Sequence, residues 1–172
     1  MALRFLTALL ILCAWSGLAY AASRTISAVI PWQGHGQIFQ IATDKLRFLG
    51  AIEGIMYVET VEGEMDEAFV RCPIVQNIDA TDQSTSASGS CVIVVSTEDS
   101  VFAEFTCEGR AGLCIGEFKL TGGTGRFVGI RGSGGMTARS PVHALAADLS
   151  SGTVLQVASG ILQIPELKFS LP

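Results

Sequence analysis

The sequence predicts an all-β chain folded as a single small antiparallel β-barrel of about eight strands, with at most one short helix. Three features lead there. Apolar and polar side chains alternate along most of the 172 residues, the period of a half-buried strand. Glycine-rich corners and polar breaks divide that alternation into short runs. Almost no stretch has helical spacing, and closure into a barrel leaves no bare sheet edge.

The glycine-rich stretch Gly116–Gly135 shows the pattern most fully. Phe118 and Leu120 fall on one side, with Glu117, Lys119 and Thr121 on the other. Gly122, Gly123 and Gly125 then offer the positive φ angles or close backbone approach of a sharp reversal. Beyond it Phe127 and Gly129 share one face, and Val128 and Ile130 the other, so the stretch predicts a strand, a turn and a second strand.

Taken in order, the domain begins with a strand over Thr25–Trp32 ended by Pro31, a turn or bulge at Gly34-His35-Gly36, and a strand over Gln37–Ala42. Leu46–Glu59 is the longest alternating run. Leu46, Phe48, Gly50, Ile52, Gly54, Met56 and Val58 make an inner face without charge, and the two glycines permit the wall to bend. An acidic turn over Glu62–Asp66 leads to a strand over Glu67–Ile78, in which Pro73 predicts an edge or bulge. Asp79–Gly89, the most polar stretch, reads as an exposed loop. Ser90–Ser96 is apolar on both faces and reads as buried on both. Glu98-Asp99-Ser100 turns the chain into a strand over Val101–Glu108, followed by a compact loop over Glu108–Leu113. After the glycine-rich stretch and Met136–Ser140, Pro141–Ser151 is the one place for a short helix, because Val142, Leu145 and Leu149 have helical spacing. Thr153–Ile164 and Leu167–Leu171 read as closing strands.

Residues 1–21 are set apart from the barrel domain of 22–172 as a secretory signal peptide. Arg4 is their only charge, Phe5–Trp15 is an apolar run too short to span a bilayer, and Ala19-Tyr20-Ala21 has the small-x-small pattern of a cleavage site. Cleavage is placed after Ala21 or Ala22, and the product is secreted or periplasmic. The chain carries a net charge of −5, more negative still without Arg4, and has no run of Lys or Arg. That excludes nucleic acid and an anionic membrane surface as partners. Trp32 and Tyr57 alone cannot form the aromatic girdles of an outer-membrane barrel, so no membrane span is expected. Four cysteines remain after cleavage, Cys72, Cys91, Cys107 and Cys114, and three pairings are open to them. Local pairing, Cys72 with Cys91 and Cys107 with Cys114, is the expectation in an oxidising compartment. No Cys-x-x-Cys occurs and neither His35 nor His143 has ligand spacing from a cysteine, so no metal and no cofactor is expected.

F-x-L-T-G-G-T-G-R-F-x-G-I-x-G over Phe118–Gly132 resembles the glycine corner of the allene oxide cyclase barrel-like and dirigent-like β-barrels. Gly89-x-Cys91 and Phe105-Thr106-Cys107 are similar to small exported bacterial proteins of that type, which have no assigned activity. The resemblance covers about Gly89–Gly132. Its plant members imply a homotrimer, and a barrel interior that guides cyclisation or radical coupling of a hydrophobic substrate. It carries no catalytic residue onto this chain.

The residues themselves offer little chemistry. Gly122–Gly125 is not read as a phosphate cradle, because such a site needs a following helix and Arg126–Gly132 alternates like a strand. No G-x-S-x-G elbow occurs, and His35 between two glycines reads as an exposed turn residue. Arg47, Glu53, Tyr57 and Glu59 share a strand face. Turned inward, Glu53 would be desolvated and able to act as a general acid or base; turned outward, these groups are solvated or paired across strands, which is the expectation. No catalytic residue is assigned. The leading expectation is a barrel that binds a small apolar ligand through Phe48, Ile52, Met56, Phe105, Phe118 and Phe127, or an interaction module whose outer stripe of Leu49, Ala51 and Ile55 meets another subunit. The alternative is a cyclase-like or isomerase-like enzyme. Cavity volume separates them, because small barrels either fill their interior or leave a pocket.

Overall fold

The computed structural model describes residues 23–60, 63, 65–141 and 154–172, with backbone alone at 60 and 154–157. The expected leader over 1–21, His143, residues 142–151 of the expected helix and two residues of the acidic turn (62 and 64) lie outside the described residues. Eight strands form: β1 (Ser23–Ala42), β2 (Lys45–Thr60), β3 (Met65–Asp79), β4 (Ser84–Val94), β5 (Ser100–Arg110), β6 (Leu113–Gly123), β7 (Arg131–Arg139) and β8 (Val154–Ser170). Each pairs antiparallel with the next, and β8 pairs back with β1, so the sheet is a closed barrel. Among the described residues the only helical turn is a 3-10 turn, Gly125–Phe127.

Alternation sets the inside. In β2, Phe48, Ile52 and Met56 are buried while Arg47, Leu49, Ile55, Tyr57 and Glu59 face out. The bends rest on glycine: Gly36 sits directly opposite Gly50, and a Cβ on either would strike the Phe48 ring or backbone of the facing strand. Trp32 points inward, opposite Gly54 on β2 and Gly160 on β8; a Cβ on Gly160 would strike its indole, and one on Gly54 the Pro31 carbonyl.

Both disulfides pair locally, and all four cysteines are buried in the core. Cys72 and Cys91 face each other across β3 and β4 with Cα atoms 4.1 Å apart, and Cys107–Cys114 runs diagonally between β5 and β6 at 5.4 Å. Restricting the unfolded chain makes such bridges worth about 3 kcal/mol each.

Several expected boundaries are corrected. The strands expected over Thr25–Trp32 and Gln37–Ala42 are one strand, β1, which Pro31 does not end. At Gly34-His35-Gly36 there is no turn, but the alternative, a bulge, is present as a register shift against β8. The β1–β2 ladder passes from Val29↔Tyr57 to Trp32↔Gly54 without a change of register, so Pro31 interrupts the pairing there without a bulge. Pro73 likewise sits in register opposite Ala51 with no bulge. The loop expected over Asp79–Gly89 shrinks to residues 80–83, because Ser84–Gly89 belongs to β4. Ser90–Ser96 is not buried on both faces: Cys91 and Ile93 point in, while Val92 and Val94 are each 39% exposed on the outer wall. The loop expected over Glu108–Leu113 is a two-residue turn with Gly112 at φ +83°. The second strand of the glycine corner starts at Arg131 rather than at Phe127. From Phe127 to Ile130 the chain turns, with Phe127 half-buried, Val128 exposed and Ile130 buried. The two closing strands are one, β8, with a register shift around Pro165–Glu166.

Candidate functional site: the open end of the barrel

Inward-facing side chains fill the waist of the barrel. Phe118 is fully buried and directly opposite Phe105, both packed among the disulfides, Ile164 and Leu162. The enclosed void left beside Ile52, Cys72 and Phe118 is about 10 Å³, the lower limit for a single water. At the end that carries the β1–β2 turn, Phe48 packs with Ile38 and Ala158 in a small second cluster. There the inner face of β4 turns polar, and Thr85 is buried with its hydroxyl accepting from Gln76 Nε2 at 2.8 Å and donating to the Asn77 carbonyl at 3.1 Å.

Among the described residues the opposite end, where β1 starts and β8 finishes, is open. A cavity of about 910 Å³ enters the barrel there. Met56 and Ala68 form its wall on β2 and β3, Ile93 and Val101 on β4 and β5, and Leu120 on β6. Phe127, Ile130, Phe169 and Leu171 close the remaining side. Among the described residues the charge that lines it is that of Arg24, Asp66, Glu67 and Arg126, and Arg126 is paired with Asp99 through Nε and Oδ2 at 3.3 Å.

Of the six residues expected to meet a ligand, Met56 and Phe127 line this cavity. Phe105 and Phe118 occupy the packed waist with Ile52 beside them, and Phe48 plugs the far end. The alternation also puts Leu120 on the inner face, and Leu120 lines this cavity. Sequence reasoning missed Ile93, Val101, Ile130 and Phe169, because which end stays open depends on side-chain volume summed around the ring. The alternation sets Ile130 on the face opposite Phe127, whereas the turn brings both to the cavity.

Outside the barrel, Glu53 pairs with Arg71 on the neighbouring strand, Oε1 to Nε at 2.7 Å, as its outward reading predicts. Arg71 also lies over the Phe69 ring, 5.8 Å from its centroid. A shallower groove of about 1090 Å³ runs along this wall beside Pro31, Ile55, Tyr57, Phe69 and Ile161. It is the larger concavity, and among the described residues it is more open to solvent than the cavity at the mouth. The Trp32 indole Nε1–H is buried without a hydrogen-bond partner among the described residues. At the far end, the backbone N–H and hydroxyl of Thr81 donate to Asp79, and this hold, helped by Lys45, keeps its carboxyl below the usual aspartate range. Ser84 does the same for Asp82.

Among the described residues no group of His, Cys, Asp or Glu is arranged to hold a metal, and no helix is long and apolar enough to cross a membrane. No protein-family model matches the chain, and no curated protein matches it.

Proposed function

We propose that this chain is an exported, disulfide-bridged barrel that binds a small apolar molecule at its open end. The observation that carries the reading is the contrast along the barrel axis: a waist packed to a void of about 10 Å³ gives way to an apolar cavity of about 910 Å³, which falls in the range of small-molecule sites. Export rests on the apolar first 21 residues and on two disulfides, which persist in oxidising compartments. Kinship with the allene oxide cyclase barrel-like and dirigent-like proteins is part of the same reading, supported by the closed eight-stranded barrel and the Phe118–Gly132 corner. A shared fold leaves the chemistry open. The walls of the cavity supply shape and apolar surface, which binding requires. A cyclase or isomerase would need a converging acid and base as well.

A second reading, an interaction module and by resemblance a homotrimer, is favoured by the apolar outer wall around Ile55 and Phe69. Native mass spectrometry on protein purified from its own host tests both. A retained small molecule supports the first and a subunit number above one the second; a ligand-free monomer overturns both. For the first reading alone, Val58→Trp at the cavity wall is expected to weaken binding of N-phenyl-1-naphthylamine about tenfold or more without lowering the unfolding midpoint by more than a few degrees.

A further inference from the structure

We propose that Asp99 is a positioning residue of this cavity: it touches no ligand itself but sets where Phe127, one of the cavity walls, stands. The proposal rests on the binding reading above.

The chain between β6 and β7 has no strand ladder to hold it. The last rung of the β6–β7 pairing is Leu120↔Gly132, and Gly122 and Gly123 pair only with β5. Residues 124–130 therefore take their position from two sets of contacts. One is hydrogen bonds within the turn, from the Phe127 N–H to the Thr124 carbonyl at 2.9 Å and from the Ile130 N–H to the Phe127 carbonyl at 3.0 Å. The other is ties that anchor the turn to the one between β4 and β5. Asp99 Oδ1 accepts the backbone N–H of Arg126 at 3.0 Å, and Oδ2 pairs with Arg126 Nε at 3.3 Å. The same guanidinium lies over the Phe127 ring, 5.0 Å from its centroid. One carboxylate thus anchors both the backbone and the side chain of Arg126, the residue next to Phe127. Thr124 adds a second tie, donating its hydroxyl to the Glu98 carbonyl and accepting the Ser100 N–H, both at 2.9 Å.

The glycine corner fits this role. Gly125 has φ +54°, and a Cβ there would collide with Asp99 Oδ1, so the residue must be glycine both for its backbone and for the carboxylate above it. Asp99 is itself fixed. The Ser96 hydroxyl accepts its N–H at 3.2 Å, and its carbonyl accepts the N–H of Val95 and of Ser96. Its side chain is 20% exposed while that of Arg126 is 64% exposed, so solvent screens the ion pair and the hydrogen bond to the Arg126 backbone is the firmer of the two ties. The corner is a clasp that holds one wall of the mouth.

The test uses the full chain, N-phenyl-1-naphthylamine as probe, and three variants. Asp99→Ala removes both contacts; Asp99→Asn keeps an acceptor for the Arg126 N–H; Asp79→Ala removes a hydrogen-bonded carboxylate at the far end. Asp99→Ala is expected to weaken probe binding about tenfold, mostly through faster dissociation, with Asp99→Asn recovering part of the loss and Asp79→Ala staying within about twofold. Amide exchange at Phe127–Ile130 should rise in Asp99→Ala and not in Asp79→Ala. Unchanged exchange in Asp99→Ala, or probe affinity within about twofold of the unaltered chain, overturns the proposal. An unaltered chain that binds no probe, with exchange still raised in Asp99→Ala, sinks the binding reading while upholding the hold of Asp99 on Phe127.

Discussion

Phe48 lies against two glycines at once, Gly36 on β1 and Gly50 on β2, and the wall curves there because neither carries a side chain. A Cβ on Gly50 would press on the His35 carbonyl oxygen and on the Phe48 ring, and backbone cannot move aside as a flexible side chain would. Gly135 on β7 is the contrast, since nothing stands within 4 Å of where its Cβ would be. Gly50→Ala is therefore expected to cost about 1–3 kcal/mol by overpacking. Gly135→Ala should be neutral or stabilising by up to about 1 kcal/mol, because alanine restricts the unfolded chain. Urea unfolding of the two variants against the unaltered chain checks both signs. The sequence marks Gly50 and Gly54 as bending sites by their place in an apolar alternation. It does not separate Gly125, which needs a left-handed backbone, from Gly122, which has neither a positive φ nor a close neighbour.

At the scale of the strand, legibility followed side-chain size. β2 was readable because large apolar groups alternate with charges along it. The first half of β4, Ser84–Gly89, is built of serine, threonine, alanine and glycine, so its alternation carries no hydrophobic contrast. Only pairing with β3 and β5 on both sides makes it a strand. Its second half fails in the opposite direction, since Val92 and Val94 look like core and face water. The turn before β4 holds two aspartates with depressed pKa values, Asp79 and Asp82, each accepting hydrogen bonds two residues ahead. A carboxyl whose folded pKa lies below its unfolded one stabilises the fold above the unfolded value, about 3.9 for aspartate, and loses that contribution as the pH falls through the folded value. The urea midpoint should accordingly fall below about pH 4, and Asp79→Asn with Asp82→Asn should make that fall shallower by removing two of the groups that take up protons.

For the whole molecule, closure leaves two surfaces to explain, the mouth and the outer wall. Period-two alternation implied an inside and an outside but not how evenly the inside fills, because packing at each level sums residues from eight strands far apart in sequence. The outer wall is less polar than that alternation suggested. Ile161, Ile55, Phe69 and Val94 form one row around the barrel, from β8 through β1 to β4, and each is 37–45% exposed. Pro31 falls in the same row, and Val29, Tyr57, Val92 and Phe102 widen it above and below. Such a contiguous apolar band is unusual on a monomer. A standard interface buries about 800 Å² on each partner with its apolar centre ringed by polar groups, and the Glu53–Arg71 pair and Gln163 stand beside this row as such a rim would. If the band meets a second copy, a charge at its centre must be desolvated without a partner, and association is lost while the barrel persists. Phe69→Glu is thus expected to sediment as a monomer where the unaltered chain sediments as an oligomer, with the same strand signal in circular dichroism. Because the mouth cavity lies on the inner face of the wall, the same variant should bind N-phenyl-1-naphthylamine within about twofold of the unaltered chain. A parallel loss of probe binding would mean that the cavity is completed only in the assembly, and the two readings of this barrel would then be one.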